Sequence, residues 1–388
     1  MNRVKALAWS PAIVVAVSCL YFAAGAMPQA PIADQTKAVV SATTAFLDSL
    51  HTDQRGKVQF PFTIQKTGKA ATFSRSDAGR GPGGGDAGRR GGGRQGPGGG
   101  FVGEQYGLAV WSNYPVSDVP RPGLTLGSLT ASQREAAMHL LQAVLSSKGY
   151  QKVLEIMGSD QALSDSGTPF ASGTGSYTIA IFGKPSLAAP WMLQYGGHHL
   201  ALNITIAGER GVITPALTGA QPSVYTSNGK TVRALAQEND KAFDLLNALT
   251  ETQRKQAILN YRVGDLVLGP GHAGETIQPE GLKATALNEK QRAMLLDLIS
   301  EWAGIVNASY AAPRMEEIKA GLDETYFAWS GPTTHESGKN GSAYYRIQGP
   351  RLVIEFSPQG VGGDPTMHVH TMYRDPANDY GVKLTGAQ

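Results

Sequence analysis

Thiol chemistry is nearly absent from this chain. Its one cysteine is Cys19, inside an apolar N-terminal run, so the rest of the chain can build neither a disulfide framework nor a thiolate metal site. An excess of one charge is missing too: Lys and Arg number 34 against 31 Asp and Glu. That balance carries no electrostatic footprint for nucleic acid. The signatures of several enzyme classes are also lacking, with no Gly-x-Ser-x-Gly elbow, no P-loop, no dinucleotide fingerprint and no His-Glu-x-x-His helix. The acids between Asp364 and Asp379 lack the spacing of an EF-hand ladder. Any metal held here must use imidazole, carboxylate or carbonyl groups.

A hydrophobic fraction of 41% and a charged fraction of 17% over 388 residues describe a globular protein with material for a sizeable core. At the N-terminus Arg3 and Lys5 precede an apolar run from Ala6 to the small residues Ala24-Gly25-Ala26, the build of a secretory signal peptide over residues 1–26. Cleavage near Ala26 predicts a secreted or periplasmic protein with 32 basic and 31 acidic residues. Two other fates stay open: an uncleaved membrane anchor, since the run is roughly the 20 residues a span needs, and lipidation at Cys19.

Between Gly79 and Gly100 there are 13 glycines in 22 residues, with Arg80, Arg89, Arg90 and Arg94 against Asp86 alone. A segment without large apolar side chains does not recover the entropy cost of ordering, so a flexible insertion between two strands is expected. The sharper alternative is a cationic arm touching an anionic envelope component. Aromatic residues, which single-strand nucleic-acid binding needs, are absent from it.

A motif recurs at Leu50-His51-Thr52-Asp53-Gln54-Arg55, Leu129-Thr130-Ala131-Ser132-Gln133-Arg134, Leu249-Thr250-Glu251-Thr252-Gln253-Arg254 and Leu287-Asn288-Glu289-Lys290-Gln291-Arg292. A capping Thr or Asn with Gln three residues on is a helix start, and the uneven spacing excludes a solenoid. Ala137, Leu140, Leu141, Val144 and Leu145 continue one such helix at amphipathic spacing. Further helices are expected over 234–249 and 294–306, ahead of Arg55 and through Val153. Strands are expected at 177–182, in a hairpin over 199–217, and in a C-terminal meander over 326–329, 344–347, 351–356 and 367–373. Helices and strands come in blocks, which predicts an α+β fold: a mixed or antiparallel sheet with helices packed on it, in one large domain spanning 33–388.

Four of the eight histidines fall in two pairs, His198-His199 and His368-Val369-His370. If both lie in strands, alternation sends His198 and His199 to opposite faces, His199 to the face of Ala201, Asn203 and Thr205. His368 and His370, two apart, then share a face and can offer two ligands side by side. Glu355 is the one charge in Leu352-Val353-Ile354-Glu355-Phe356. A hairpin register facing Ser357 with Thr366 would set it opposite His368, as a ligand or as the group orienting an imidazole. Tyr345 and Arg346 form a candidate ligand-binding pair for an anion, and His272 sits in a Gly-rich loop that could cap the site.

Several segments together resemble the bacterial family catalogued as domain of unknown function 3500. They are Gly197-His198-His199-Leu200-Ala201-Leu202-Asn203, Tyr344 to Pro350, Ile354-Glu355-Phe356, His368-Val369-His370-Thr371 with Tyr373-Arg374-Asp375, Leu129 to Arg134, Phe327-Ala328-Trp329 and Trp111-Ser112-Asn113-Tyr114-Pro115. The resemblance implies one long domain and marks the histidine segments without supplying a reaction. Ala343 and Ser357-Pro358 depart from the pattern, and 79–100 looks like an insertion. The site expected is therefore a copper or zinc centre of His199, His368 and His370, with Glu355 and His198 as ligands or supports. It would serve a metal-dependent hydrolase or oxidoreductase acting on an unknown small molecule. The alternative is a non-enzymatic envelope binding protein with structural histidines.

Overall fold

The computed structural model describes residues 32–63, 69–73, 101–168, 170–171 and 173–386. The expected signal peptide and the Gly/Arg-rich stretch lie outside them. Eight α-helices are placed among the described residues: α1 Ile32–Ser49, α2 Thr52–Val58, α3 Ala131–Val144, α4 Ser147–Asp165, α5 Ala236–Ala248, α6 Glu251–Ala257, α7 Glu289–Ala303 and α8 Ala308–Ala320. The strands begin with β1 Gln59–Phe60, β2 Lys69–Phe73, β3 Phe101–Tyr106, β4 Ala109–Trp111, β5 Leu124–Thr125 and β6 Thr178–Phe182. There follow β7 Trp191–Gly197, β8 Leu200–Ala207, β9 Arg210–Ala220, β10 Val224–Ser227 and β11 Lys230–Arg233. The last are β12 Leu282–Lys283, β13 Tyr326–Ser330, β14 Tyr344–Gly349, β15 Leu352–Pro358 and β16 Val369–Arg374.

The fold is α+β, as the blocks of helix and strand predict. Eleven strands make one sheet in the order β1-β6-β7-β8-β9-β16-β15-β14-β13-β12, with β5 pairing on β6. Every pair is antiparallel except β1 with β6, so the sheet is mixed. β2 and β3 pair antiparallel on either side of the Gly/Arg-rich stretch.

The sheet order reads the same from both ends. The succession α1-α2, then β5-α3-α4-β6-β7-β8-β9, is repeated by α5-α6, then β12-α7-α8-β13-β14-β15-β16, and the two halves meet where β9 pairs with β16. Registers agree residue by residue. Ile179 pairs with Leu124 and Tyr195, Tyr195 with Leu202, and Leu202 with Ala216. In the other half Phe327 pairs with Leu282 and Ile347, Ile347 with Ile354, and Ile354 with Tyr373. Ala216 pairs with Tyr373 at the centre. These ten apolar residues form one row across the sheet and face the helices in a single core cluster. Each large one contributes about 1.5–3 kcal/mol by burial, which pins the register because a one-residue slip would turn the whole row outward.

The recurring Gln-Arg motif does more than start helices. In α3, α6 and α7 the Gln backbone N–H is capped by Thr130, Thr250 and Asn288, and each Gln reaches back to its cap residue. The same side chains also pair across helices: Gln54 and Gln133 exchange two amide hydrogen bonds of 3.2 and 2.8 Å, and Gln253 and Gln291 two of 3.1 and 3.0 Å. Each half thus carries one reciprocal amide pair in an equivalent place, so the motif marks an internal duplication.

The second face of the sheet is covered mainly by loops rather than helices. Trp111, at the end of β4, and Leu266 and Leu268, from the long connection after α6, pack on Ala201, Leu217, Val353 and Met372. The histidines lie at the edge of this layer.

Candidate metal centre

Only two residues, His198 and His199, connect β7 to β8, since Gly197 pairs with Leu200 across them. This corrects the strand expectation: the two side chains are not sent to opposite faces, and their rings stack with centroids 3.8 Å apart and 24° between planes. A polar-apolar alternation running on through Leu200 looks like strand in sequence, yet a two-residue turn interrupts it. His199 takes a left-handed φ of 61°. That conformation costs an L-residue about 1–2 kcal/mol, and such strain concentrates at functional sites when surrounding contacts enforce it. Here the His199 N–H donates to the Asn113 carbonyl at 3.0 Å, and the Tyr177 hydroxyl donates to the His198 carbonyl at 2.9 Å. Arg121 donates to the carbonyls of Gly197, Ser112 and Tyr114, tying the loop to the turn.

His368 leads into β16, and His370 lies within it on the loop-covered face, opposite Gly219 of β9. Gly219 is required there: a Cβ would stand 2.6 Å from the Val369 carbonyl oxygen and 3.2 Å from His199 Cβ. The bare backbone lets His199 lean over β9 toward the other two rings. His368 Nε2 is 2.9 Å from His199 Nε2 and 3.0 Å from His370 Nε2. The three residues form the one group of potential metal donors found among the described residues, their ligand atoms within 4.8 Å of one another. They are 2%, 6% and 8% exposed, so bulk water does not supply their partners.

Three ring nitrogens pointed at one spot make poor hydrogen-bond partners for each other. A neutral imidazole has one N–H and one lone pair, and His368 Nδ1 faces the Val361 carbonyl oxygen at 3.0 Å. It must donate there, which leaves His368 Nε2 as a lone pair aimed at the other rings. Fixing a tautomer through a backbone carbonyl is how proteins prepare a ligating histidine. Two imidazole nitrogens bound tetrahedrally at 2.0–2.1 Å lie about 3.3–3.4 Å apart, close to the spacing here. Electrostatics agree. Burial, then the charges of His198, His368, His370 and Arg121, holds His199 well below the usual imidazole range. Burial and then His370 do the same to His368, against the raising effect of Val361. Both are held neutral, the form that binds a metal.

Other groups orient the rings. His370 Nδ1 lies 2.9 Å from the Asn113 side-chain amide and 3.8 Å from Asp265 Oδ1. Burial raises the Asp265 carboxyl, but hydrogen bonding and charge from His370, with the Leu266 N–H and Gln359, bring it below its ordinary value. His198 Nδ1 contacts Asp160 Oδ1 at 2.7 Å, so His198 is a braced neighbour stacked on the cluster rather than a member of it. Asn113, Asp160, Asp265 and Val361 escaped the sequence reading. Asn113 stands within the family-like segment Trp111 to Pro115, while Asp265 and Val361 sit in loops with no periodicity to flag them.

Glu355 stands elsewhere. Ser357 pairs with His370 rather than with Thr366, which puts Glu355 opposite Met372. Its carboxylate accepts the N–H groups of Val267 and Leu268, each at 2.8 Å, and the Tyr344 hydroxyl. The long turn from Gln359 to Met367 shifts the register, and turn length is what sequence reads least well. Tyr345 is a core residue stacked between Trp329 and Phe356, its hydroxyl donating to the Glu238 carbonyl. Arg346 is ion-paired with Glu280 at 2.8 Å. Neither joins the histidines. His272 contacts Glu275 within its own loop at 2.6 Å.

A mixed sheet with helices on one face, and a buried three-histidine cluster under loops on the other, defines an α+β protein whose cluster is compatible with a transition-metal centre. The family model described as protein of unknown function (DUF3500) matches residues 103–382, and the chain belongs to that family. No curated protein and no solved structure matches the chain. Among the described residues no helix is long and apolar enough to cross a membrane.

Proposed function

We propose that this is a metalloprotein that binds zinc or copper through Nε2 of His199, His368 and His370. The convergence of three buried imidazole nitrogens, one of them fixed as a lone pair by Val361, carries the proposal. Three protein ligands leave a coordination position open, the pattern of catalytic rather than structural sites. When bound, zinc would lower the pKa of a water toward neutrality for hydrolysis, and copper would serve oxygen chemistry. The chain's own contribution is to hold His199 and His368 neutral by burial and to seat His370 beside Asp265. The apolar segment Ala6 to Ala26 supports export to the periplasm or beyond as the setting.

Metal content tests this directly. Protein purified without chelator should carry zinc or copper near one equivalent, or take it up on titration, and His368→Ala/His370→Ala should carry none. Wild-type protein that neither contains nor takes up either metal refutes the proposal.

A further inference from the structure

We infer that Asp265 and Glu355 form a positioning relay for the metal centre, in which Glu355 clamps the loop carrying Asp265 and Asp265 sets the tautomer of His370. This rests on the three-histidine reading and names what regulates the affinity of that site.

The inference starts from an accounting of His370 Nδ1. If Nε2 is to offer a lone pair to a metal, Nδ1 must carry the proton and needs an acceptor. The Asn113 amide NH2 group, 2.9 Å away, would donate into Nδ1 and put the proton on Nε2, where it faces His368. Asp265, whose Oδ1 lies 3.8 Å from the same nitrogen, is beyond hydrogen-bond length and acts on it through charge, which when the carboxyl is ionised favours a proton on Nδ1. The carboxylate therefore favours the metal-binding tautomer, and its negative charge offsets part of a dication's charge in a site built from three neutral ligands.

Asp265 belongs to a connection without regular secondary structure, so something must hold it. Its Oδ1 accepts the Leu266 N–H at 2.7 Å and the Gln359 side chain at 3.1 Å. The next two N–H groups, of Val267 and Leu268, enter the protein and need buried acceptors. Both are taken by the two oxygens of Glu355, itself buried on β15 and steadied by the Tyr344 hydroxyl. Leu266 and Leu268 pack beside it on Val353 and Met372. Glu355 thus reaches His370 through a loop it grips by its backbone, without touching a histidine.

The test is zinc affinity by chelator competition on wild type, Asp265→Asn, Glu355→Gln and the double variant. Glutamine keeps the shape of Glu355 but turns an NH2 group toward one loop N–H. Each single change should weaken zinc by about 10–100-fold, and the double should be no weaker than the weaker single, because both act on one path. In zinc-loaded wild type, nitrogen NMR should find His370 protonated at Nδ1. Losses that multiply in the double, or wild-type affinity in Glu355→Gln, overturn the relay. Should Glu355→Gln not fold, unchanged affinity in Asp265→Asn, a partly exposed position, overturns it alone. Wild type that binds no metal sinks the proposed function and the relay together, whereas wild-type binding with unaffected variants sinks only the relay.

Discussion

Replacing Gly219 by alanine should damage stability and metal binding together, and the structure sets the size of the effect. A Cβ at this position would stand 2.6 Å from the Val369 carbonyl oxygen, where ordinary contact begins near 3.4 Å, and 3.3 Å from His199 Cδ2. The carbonyl belongs to β16 beside the central β9–β16 ladder, so it cannot swing aside as a side chain would. The strands must part locally or His199 must tilt. Overpacking of this kind costs about 1–3 kcal/mol, and alanine's better strand propensity returns roughly 0.5–1 kcal/mol, leaving a net loss of about 1–2 kcal/mol. Tilting His199 away from His368 would also remove one of three ligands, so zinc affinity should fall at least tenfold, about 1.4 kcal/mol. Urea unfolding in chelator measures the first effect and zinc competition the second. Gly56→Ala is the control: nothing lies within 4 Å of its Cβ position and it sits in α2, so it should gain up to about 1 kcal/mol. A Gly219→Ala protein with the stability and zinc affinity of wild type would refute the close-approach argument.

Two further expectations concern the scaffold. Thr130→Ala and Asn288→Ala remove equivalent caps in the two halves, and each should lower unfolding stability by about 1 kcal/mol; a change under a few tenths in both would deny the caps their role. Burial raises Asp379 from 3.8 to about 6 against the lowering effect of Arg374. Because folding then favours the protonated form, the stability this group contributes is full below pH 3.8 and is lost as pH rises through about 6. The urea midpoint of wild type should therefore contain a falling component across that window that Asp379→Asn lacks, and identical pH profiles would count against it.

Much of the architecture was legible because it rests on local rules. Capping boxes placed the starts of α3, α6 and α7, and alternation placed the C-terminal meander from β13 to β16. The three histidines were legible as residues but not as geometry. His199 was singled out by a strand alternation that does not apply to a turn, and it reaches the cluster because Gly219 leaves room, a contact between residues far apart in the chain. Glu355 was misplaced by a register set in the turn from Gln359 to Met367. Asp265 could not be seen at all, since its role depends on a loop held by a carboxylate 90 positions away in sequence.

The duplication explains why one end of the sheet carries the cluster. Gly197-His198-His199-Leu200 and Gly349-Pro350-Arg351-Leu352 are equivalent two-residue connections, closed by equivalent pairs. In the second, Arg351 stands where His199 stands in the first, and it is engaged by Asp375 at 3.0 Å and Glu317 at 3.1 Å. The scaffold thus offers two similar turns that differ in their side chains: Arg351 in one is engaged by ion pairs, and His199 in the other joins the three-histidine cluster. His199 comes from the first half while His368 and His370 come from the second. The candidate centre is therefore a property of the joined halves: among the described residues, the one group of potential donors draws on both.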